Sequence, residues 1–241
     1  MEAIILAGGQ GTRLRKAVPD VPKPIAPVSG VPFLRYLIGH WSGQGVRRFV
    51  LSVGFQADRI IDTLGERIGP AEIAYARETE PLDTGGGIAL AVTRLRDPGP
   101  FLVLNGDTFF GIGLTELVTA RERDHAAVCV ALAHVPCASR YSLPRLGSDG
   151  RIAEFAPSER TQAAGWVNAG AYCCDESIRR SLPAAGTRFS FEREFLPQLI
   201  ASGTRVFTVK SPAIFIDIGV PEDYARAAQV IPGASRRTAK P

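Results

Sequence analysis

Four short stretches carry residue types that could handle phosphate and a divalent cation. An apolar run over residues 2–7 leads straight into Gly8-Gly9-Gln10-Gly11-Thr12-Arg13-Leu14. Glycine adopts positive φ freely and has no Cβ to hold a ligand away. Successive backbone N–H groups in such a turn form a concavity that suits phosphate oxygens. Arg13 adds a planar, permanently charged donor fork. Lys23 stands between Pro22 and Pro24, a compact ammonium that can act as a point charge on phosphate. Asn105-Gly106-Asp107 follows a second apolar run, and Asp217 sits among apolar residues in a third. A carboxylate at the mouth of a nucleotide site is a ready Mg²⁺ ligand, because magnesium takes one or two carboxylates plus phosphates. An unpartnered carboxylate at position 217 would be costly, and a cation shared with Asp107 would satisfy it.

The residues alone leave plainer readings open. Asp107 also reads as a turn aspartate, Asp217 as a capping or salt-bridged one, and Asn168 as a satisfied core asparagine. The first loop is not a P-loop, which needs Gly-Lys-Ser/Thr after four intervening residues. It is not a dinucleotide fingerprint either, because Leu14 stands where the third glycine belongs and no helix can start at once. Prolines 19, 22, 24 and 27 forbid a helix there and predict extended structure.

Around these stretches the hydrophobic periodicity alternates. It predicts helices over 32–44, 58–68, 84–95, 114–122, 178–182, 191–200 and 221–230. It predicts strands over 48–53, 72–76, 101–104, 126–133, 166–173, 205–209 and 214–218, and a hairpin pairing 142–146 with 151–155. Strand–helix alternation implies an α/β fold, a Rossmann-like doubly wound and mostly parallel sheet with right-handed crossovers. Such sheets bind ligands at the carboxyl ends of their strands. The first loop and Asn105–Asp107 both fall at such ends. No composition break divides the chain, so one domain over 1–231 is expected, with an elaborated second half.

The chain has 241 residues and a formal net charge of +4. Arg236, Arg237 and Lys240 contribute three of those charges, in a tail over 232–241 that reads as a solvated, flexible end. The body is therefore near neutral, and no nucleic-acid partner is expected. No apolar run approaches membrane-spanning length, and the N-terminal run lacks the basic region of a signal peptide. Cys129, Cys137, Cys173 and Cys174 have no zinc spacing. Buried, reduced thiols in a cytoplasmic protein are the reading they favour.

The run from Leu6 to Leu14, followed by Pro22-Lys23-Pro24, resembles the sugar-1-phosphate nucleotidyltransferases. So do Phe215-Ile216-Asp217-Ile218-Gly219 before Pro221-Glu222-Asp223-Tyr224, and Trp166-Val167-Asn168-Ala169-Gly170-Ala171-Tyr172. The resemblance spans Met1 to about Val230. It implies that Leu6, Ala7, Gly8, Gly9, Gly11, Thr12 and Arg13 hold the triphosphate. Arg13, Lys23 and Asp107 are the catalytic set, and Asp107 with Asp217 holds Mg²⁺. Lys23 binds the phosphate of the sugar phosphate and the reacting α-phosphate. Asn105, Asn168 and Gly170 line the sugar-phosphate side, joined by Glu154 or Glu159; relatives carry lysine where Arg160 stands.

Residues 78–87 resemble the family's base-recognition loop. Glu80, Asp83, Thr84, Gly85 and Gly86 are the nucleotide contacts there. Asp83 or Glu80 is the expected acceptor for the guanine N1–H and N2–H₂ edge, and solvated surface charge is the alternative for both. Within the family, length and the loop over 80–87 look most like the D-glycero-α-D-manno-heptose 1-phosphate guanylyltransferases of bacterial surface-polysaccharide synthesis. A mannose- or glucose-1-phosphate nucleotidyltransferase is the sibling reading. A non-catalytic nucleotide-binding relative and a nucleotide-sugar glycosyltransferase are the alternatives from other classes. The implied partners are GTP and a sugar 1-phosphate, and family habit implies a homodimer.

Overall fold

The computed structural model describes residues 1–14, 18–19, 21–141, 143–156, 163–231 and 233. Ser142, Glu159, Arg160 and all of the basic tail except Gly233 lie outside the described residues. The chain opens with β1 (Glu2–Leu6), β2 (Pro27–Val28), β3 (Val31–Pro32), α1 (Phe33–Gly43), β4 (Arg48–Val53) and α2 (Ala57–Leu64). It continues with β5 (Arg67–Ile68), β6 (Ala71–Arg77), α3 (Asp83–Val92), β7 (Phe101–Asn105), β8 (Thr108–Phe110), α4 (Leu114–Arg123) and β9 (Val128–Val135). The second half holds β10 (Leu143–Leu146), β11 (Ile152–Ala156), β12 (Gly165–Cys174), α5 (Ile178–Ser181), α6 (Leu196–Ala201), β13 (Val206–Ser211), β14 (Phe215–Asp217) and α7 (Pro221–Val230).

Among the described residues the main sheet has eight strands, in the order β13-β9-β12-β7-β1-β4-β6-β5. The pairs β13–β9, β7–β1, β1–β4 and β4–β6 are parallel. β12 departs from the pattern, because it runs antiparallel to both β7 and β9. Between β9 and β12 the chain passes through the β10–β11 hairpin, whereas parallel neighbours are joined by crossover connections. Helices cover both faces. Ile5, Phe49, Leu104 and Cys173 pack with α1, α2 and α4, whereas Ile4, Val50, Val103 and Cys174 pack with α3 and α6. Cys173 and Cys174 thus point to opposite faces, as adjacent strand residues must.

Several expectations need correction. The proline-rich segment is not uniformly extended: Val18, Pro19 and Val21 lie in bends and turns, with Val18 N–H donating to Leu14 O at 3.0 Å, and Lys23–Ile25 form one 3₁₀ turn. Ile25 N–H donates to Pro22 O and Ala26 N–H to Lys23 O. Proline excludes an α-helix interior, but a single 3₁₀ turn asks for no N–H at Pro24. Helix α2 stops at Leu64, because Gly65 turns to φ +67°, and Ile68 belongs to β5. The helix expected over 191–200 divides into a π turn, Phe191–Phe195, and α6, with Pro197 near the start of the second piece. Cys129, Cys173 and Cys174 are buried and free, but Cys137 is exposed. No helix among the described residues is long and apolar enough to cross a membrane.

Neighbouring Ile4 and Ile5 are both fully buried, on opposite faces of the central strand. Ile4→Ala and Ile5→Ala should therefore each cost about 2–5 kcal/mol in urea unfolding. A sheet with one solvated face would leave one of the two nearly neutral.

Candidate active site

Three parallel strands end together. Leu6 lies beside Ser52 of β4 on one side and Asn105 of β7 on the other, so the loops that follow share one rim. Ala7 N–H donates to Ser52 O at 2.8 Å, Gly106 N–H to Leu6 O at 2.9 Å, and Phe55 N–H to Gly8 O at 3.2 Å. At Gly106 a Cβ would stand 2.4 Å from Leu6 O, so only glycine lets the two strand ends close up. A cleft of about 660 Å³ opens above them, within the range of small-ligand sites. Leu6, Ala7, Gly8, Gly9, Gly11, Thr12 and Arg13 line it, with Lys23, Glu80, Asp83, Thr84, Asn105 and Asp107.

One charged group joins its far walls. The Lys23 ammonium donates to Asp107 Oδ2 and lies 3.8 Å from Asp217 Oδ1. The 3₁₀ turn aims Lys23, the end of β7 presents Asp107, and the two-stranded β8–β14 ribbon brings in Asp217 opposite Thr108. Gly219 N–H donates to Asp217 Oδ1 at 2.7 Å. A Cβ on Gly219 would stand 2.7 Å from both the Lys23 nitrogen and Asp217 Oδ1, so glycine keeps this corner open. The side chains of Lys23 and Asp217 are 10% and 16% exposed, so the charges are largely desolvated. Burial pushes the Asp107 carboxyl up, but the charge and hydrogen bond of Lys23 outweigh it and hold the group below its ordinary value. Burial and the neighbouring Asp107 charge raise Asp217 above its own. One ammonium thus holds two carboxylates whose proton affinities are driven apart.

The pattern of the nucleotidyl transferase family matches residues 2–232. The chain belongs to that family. It is 34% identical over 227 residues to D-glycero-alpha-D-manno-heptose 1-phosphate guanylyltransferase of Aneurinibacillus thermoaerophilus, covering 94% of this chain and 96% of that one. It is also 34% identical to the Campylobacter jejuni protein of the same description, covering 93% of this chain and 97% of that one. In structure it is similar to HddC from Yersinia pseudotuberculosis complexed with GMP-PN, with a TM-score of 0.83 and 32% identity over 95% of this chain and 98% of that one.

As a nucleotidyl transferase, the chain distributes its expected contacts unevenly. Gly85 and Gly86 do not reach the cleft. Both N–H groups go to Phe189 O, at 2.9 and 3.2 Å, which corrects their reading as base contacts. A Cβ on Gly85 would meet the Phe189 ring at 2.2 Å, so these glycines serve helix packing. Asp83 lies on the cleft but is already engaged. It accepts from Arg193 at 2.8 Å and from its own neighbour Thr84 N–H at 2.7 Å. Glu154 pairs with Arg145 on the β10–β11 hairpin, away from the cleft, which corrects its placement beside the sugar. Asn168 and Gly170 lie behind the lining. Gly170 sits at φ +68° in an irregularity of β12, where a Cβ would come 2.5 Å from Asn105 Nδ2. It makes room for Asn105 rather than for a ligand directly.

Sequence reasoning missed Glu78, Phe55 and Arg188, all on the cleft. Glu78 directly follows β6, and that position at a strand end was a usable signal. Its Oε1 accepts from Ser52 Oγ at 2.9 Å and its Oε2 from Leu82 N–H at 3.2 Å. A Cβ on Gly8 would stand 2.4 Å from Glu78 Oε1, so the first loop is glycine there partly to clear this carboxylate. Arg188 comes from an irregular segment with no motif to mark it.

Removing the joining charge or its first partner should disable the site. Lys23→Ala and Asp107→Ala are each expected to lower kcat for nucleotidyl transfer by about 10²-fold or more, with the fold intact by circular dichroism. Near wild-type turnover in both would contradict their roles.

Proposed function

We propose that this chain transfers the guanylyl group of GTP to D-glycero-α-D-manno-heptose 1-phosphate, releasing pyrophosphate. The observation that carries the reading is the Lys23–Asp107–Asp217 cluster at the mouth of the Gly8–Arg13 loop, in one cleft. The sugar comes from the two guanylyltransferase relatives, which match nearly end to end.

A phosphate oxygen of the sugar phosphate attacks the α-phosphorus of GTP in line. One P–O bond forms, the α–β P–O bond breaks, and pyrophosphate carries away the electron pair. The reactants repel, at roughly 3 kcal/mol per pair of unit charges ~5 Å apart with an effective dielectric of about 20. Backbone N–H groups of the first loop and the Arg13 fork cradle the triphosphate. Lys23 faces both the α-phosphate and the attacking phosphate. Catalysis of this kind is positioning plus electrostatics.

The residues present fit a magnesium ion. Asp107 and Asp217 offer hard oxygen ligands beside the corner that glycine keeps clear at position 219. Bound there, Mg²⁺ would neutralise charge on the triphosphate. A reaction fed by nucleoside triphosphate belongs in the cytoplasm. Residues 1–231 form the catalytic unit in this reading, followed by the basic tail.

Glu78 supports the choice of guanine better than Asp83 does. Its two oxygens accept from Ser52 Oγ and Leu82 N–H but each keeps a further lone pair, no cation is paired to it among the described residues, and guanine offers two adjacent donors, N1–H and N2–H₂. The test is pyrophosphate release with Mg²⁺ across GTP, UTP, dTTP, CTP and ATP, against heptose, mannose and glucose 1-phosphates. GTP with the heptose phosphate should dominate, and Glu78→Gln should lower kcat/KM for GTP by about 10- to 100-fold. Dominance of another pair would overturn the substrates, and an unchanged preference in Glu78→Gln would remove that residue from base reading.

A further inference from the structure

A polar chain runs beneath the cleft, and the proposed chemistry does not use it. Thr84, on the cleft lining at the start of α3, donates its hydroxyl to Glu192 Oε2 at 2.6 Å. Glu192 Oε1 accepts from the Tyr172 hydroxyl at 3.1 Å. That hydroxyl accepts in turn from Asn168 Nδ2 at 2.7 Å, and Asn168 Oδ1 accepts from Gly170 N–H at 3.0 Å. Gly170 packs directly against Asn105, two residues before Asp107. The chain therefore begins at the nucleotide side of the cleft and ends under the loop that carries the acid.

Glu192 is the unusual member. It is partly buried and makes no ion pair among the described residues, so two neutral hydroxyls hold its charge. A carboxylate in such a place is costly, and packing alone would be served more cheaply by an apolar group. It is carried on the Phe191–Phe195 π turn, a geometry that is frequent at functional sites. Thr84 is tied to that turn twice, because its hydroxyl also accepts the Phe191 N–H at 2.9 Å. Tyr172 is fully buried, and burial with the Glu192 charge keeps its hydroxyl protonated as the donor this chain needs.

We propose that Glu192 is a positioning residue for the transfer, fixing Thr84 on the nucleotide side relative to Asn168, Gly170 and Asn105 on the sugar-phosphate side. Glu192 holds the two halves of the site in register. The inference rests on the nucleotidyl-transfer reading above for what occupies each side.

Tyr172→Phe tests it, because it deletes one oxygen and keeps the ring that packs edge-on against Phe191 at 5.3 Å. The assay uses whichever nucleotide and sugar phosphate the wild type turns over, so an error in the substrates shows in the wild type alone. The KM for the sugar phosphate should rise roughly five- to tenfold, while the KM for the nucleotide stays within twofold. Glu192→Gln keeps the size and removes one acceptor. It should show the same split and serves as the reading if Tyr172→Phe does not fold. A lowered Tm with both KM values unchanged would mean a structural role only and would overturn the proposal. An equal rise in both KM values would overturn it as well.

Discussion

The site depends on one ammonium held against two carboxylates. Lys23 reaches Asp107 and Asp217 from a separate part of the chain, and three backbone devices exist to let it. A 3₁₀ turn between prolines fixes the lysine, a glycine at 106 lets the end of β7 close on β1, and the β8–β14 ribbon delivers Asp217. Without Lys23 the two acids would face each other with no opposing charge between them, Asp217 largely buried, and like-charge repulsion would favour a proton on one of them. With it, the Asp107 carboxyl is held below its ordinary value, while burial and the Asp107 charge raise that of Asp217.

The sheet supplies the frame. Parallel strands β1, β4 and β7 end in register, so their loops converge without any long excursion. Strand β12 enters between β7 and β9 in the opposite direction, and its irregularity at Asn168–Tyr172 lets Gly170 tuck under Asn105. The antiparallel strand thereby supports the acid loop from behind. The catalytic rim belongs to the parallel half and its underpinning to the mixed half.

Much of this was legible in the sequence, for a physical reason. Gly8, Gly11, Lys23, Asp107 and Asp217 advertise themselves locally, as glycines after an apolar run, a lysine between prolines and acids at strand ends. All of them are found on or beside the cleft. What could not be read depends on approach between distant segments. Gly85 and Gly86 are glycine because Phe189 and Thr187 press on them, and only the fold shows that contact. Asp83 lies on the cleft as expected, but its pairing with Arg193 joins segments far apart in sequence and only the fold shows it. Glu154 fell on a solvent-facing hairpin because the alternation of a two-stranded ribbon does not say which way the ribbon leans. Arg188 comes from the segment after α5, where neither period is sustained, and Glu192 lies in the helix expected over 191–200, whose period does not show that it opens as a π turn under the cleft.

The central claim is that Asp107 and Asp217 form a cation site that Lys23 holds ready for a nucleoside triphosphate. The most direct measurement is Mn²⁺ binding by electron paramagnetic resonance, with and without GTP, in the wild type and in Asp107→Asn with Asp217→Asn. The account expects weak binding of the ion alone, at least tenfold tighter binding with GTP, and loss of that gain in the double variant. A gain that survives removal of both carboxylates would mean that the nucleotide alone brings the ion, and that this cluster is not its site.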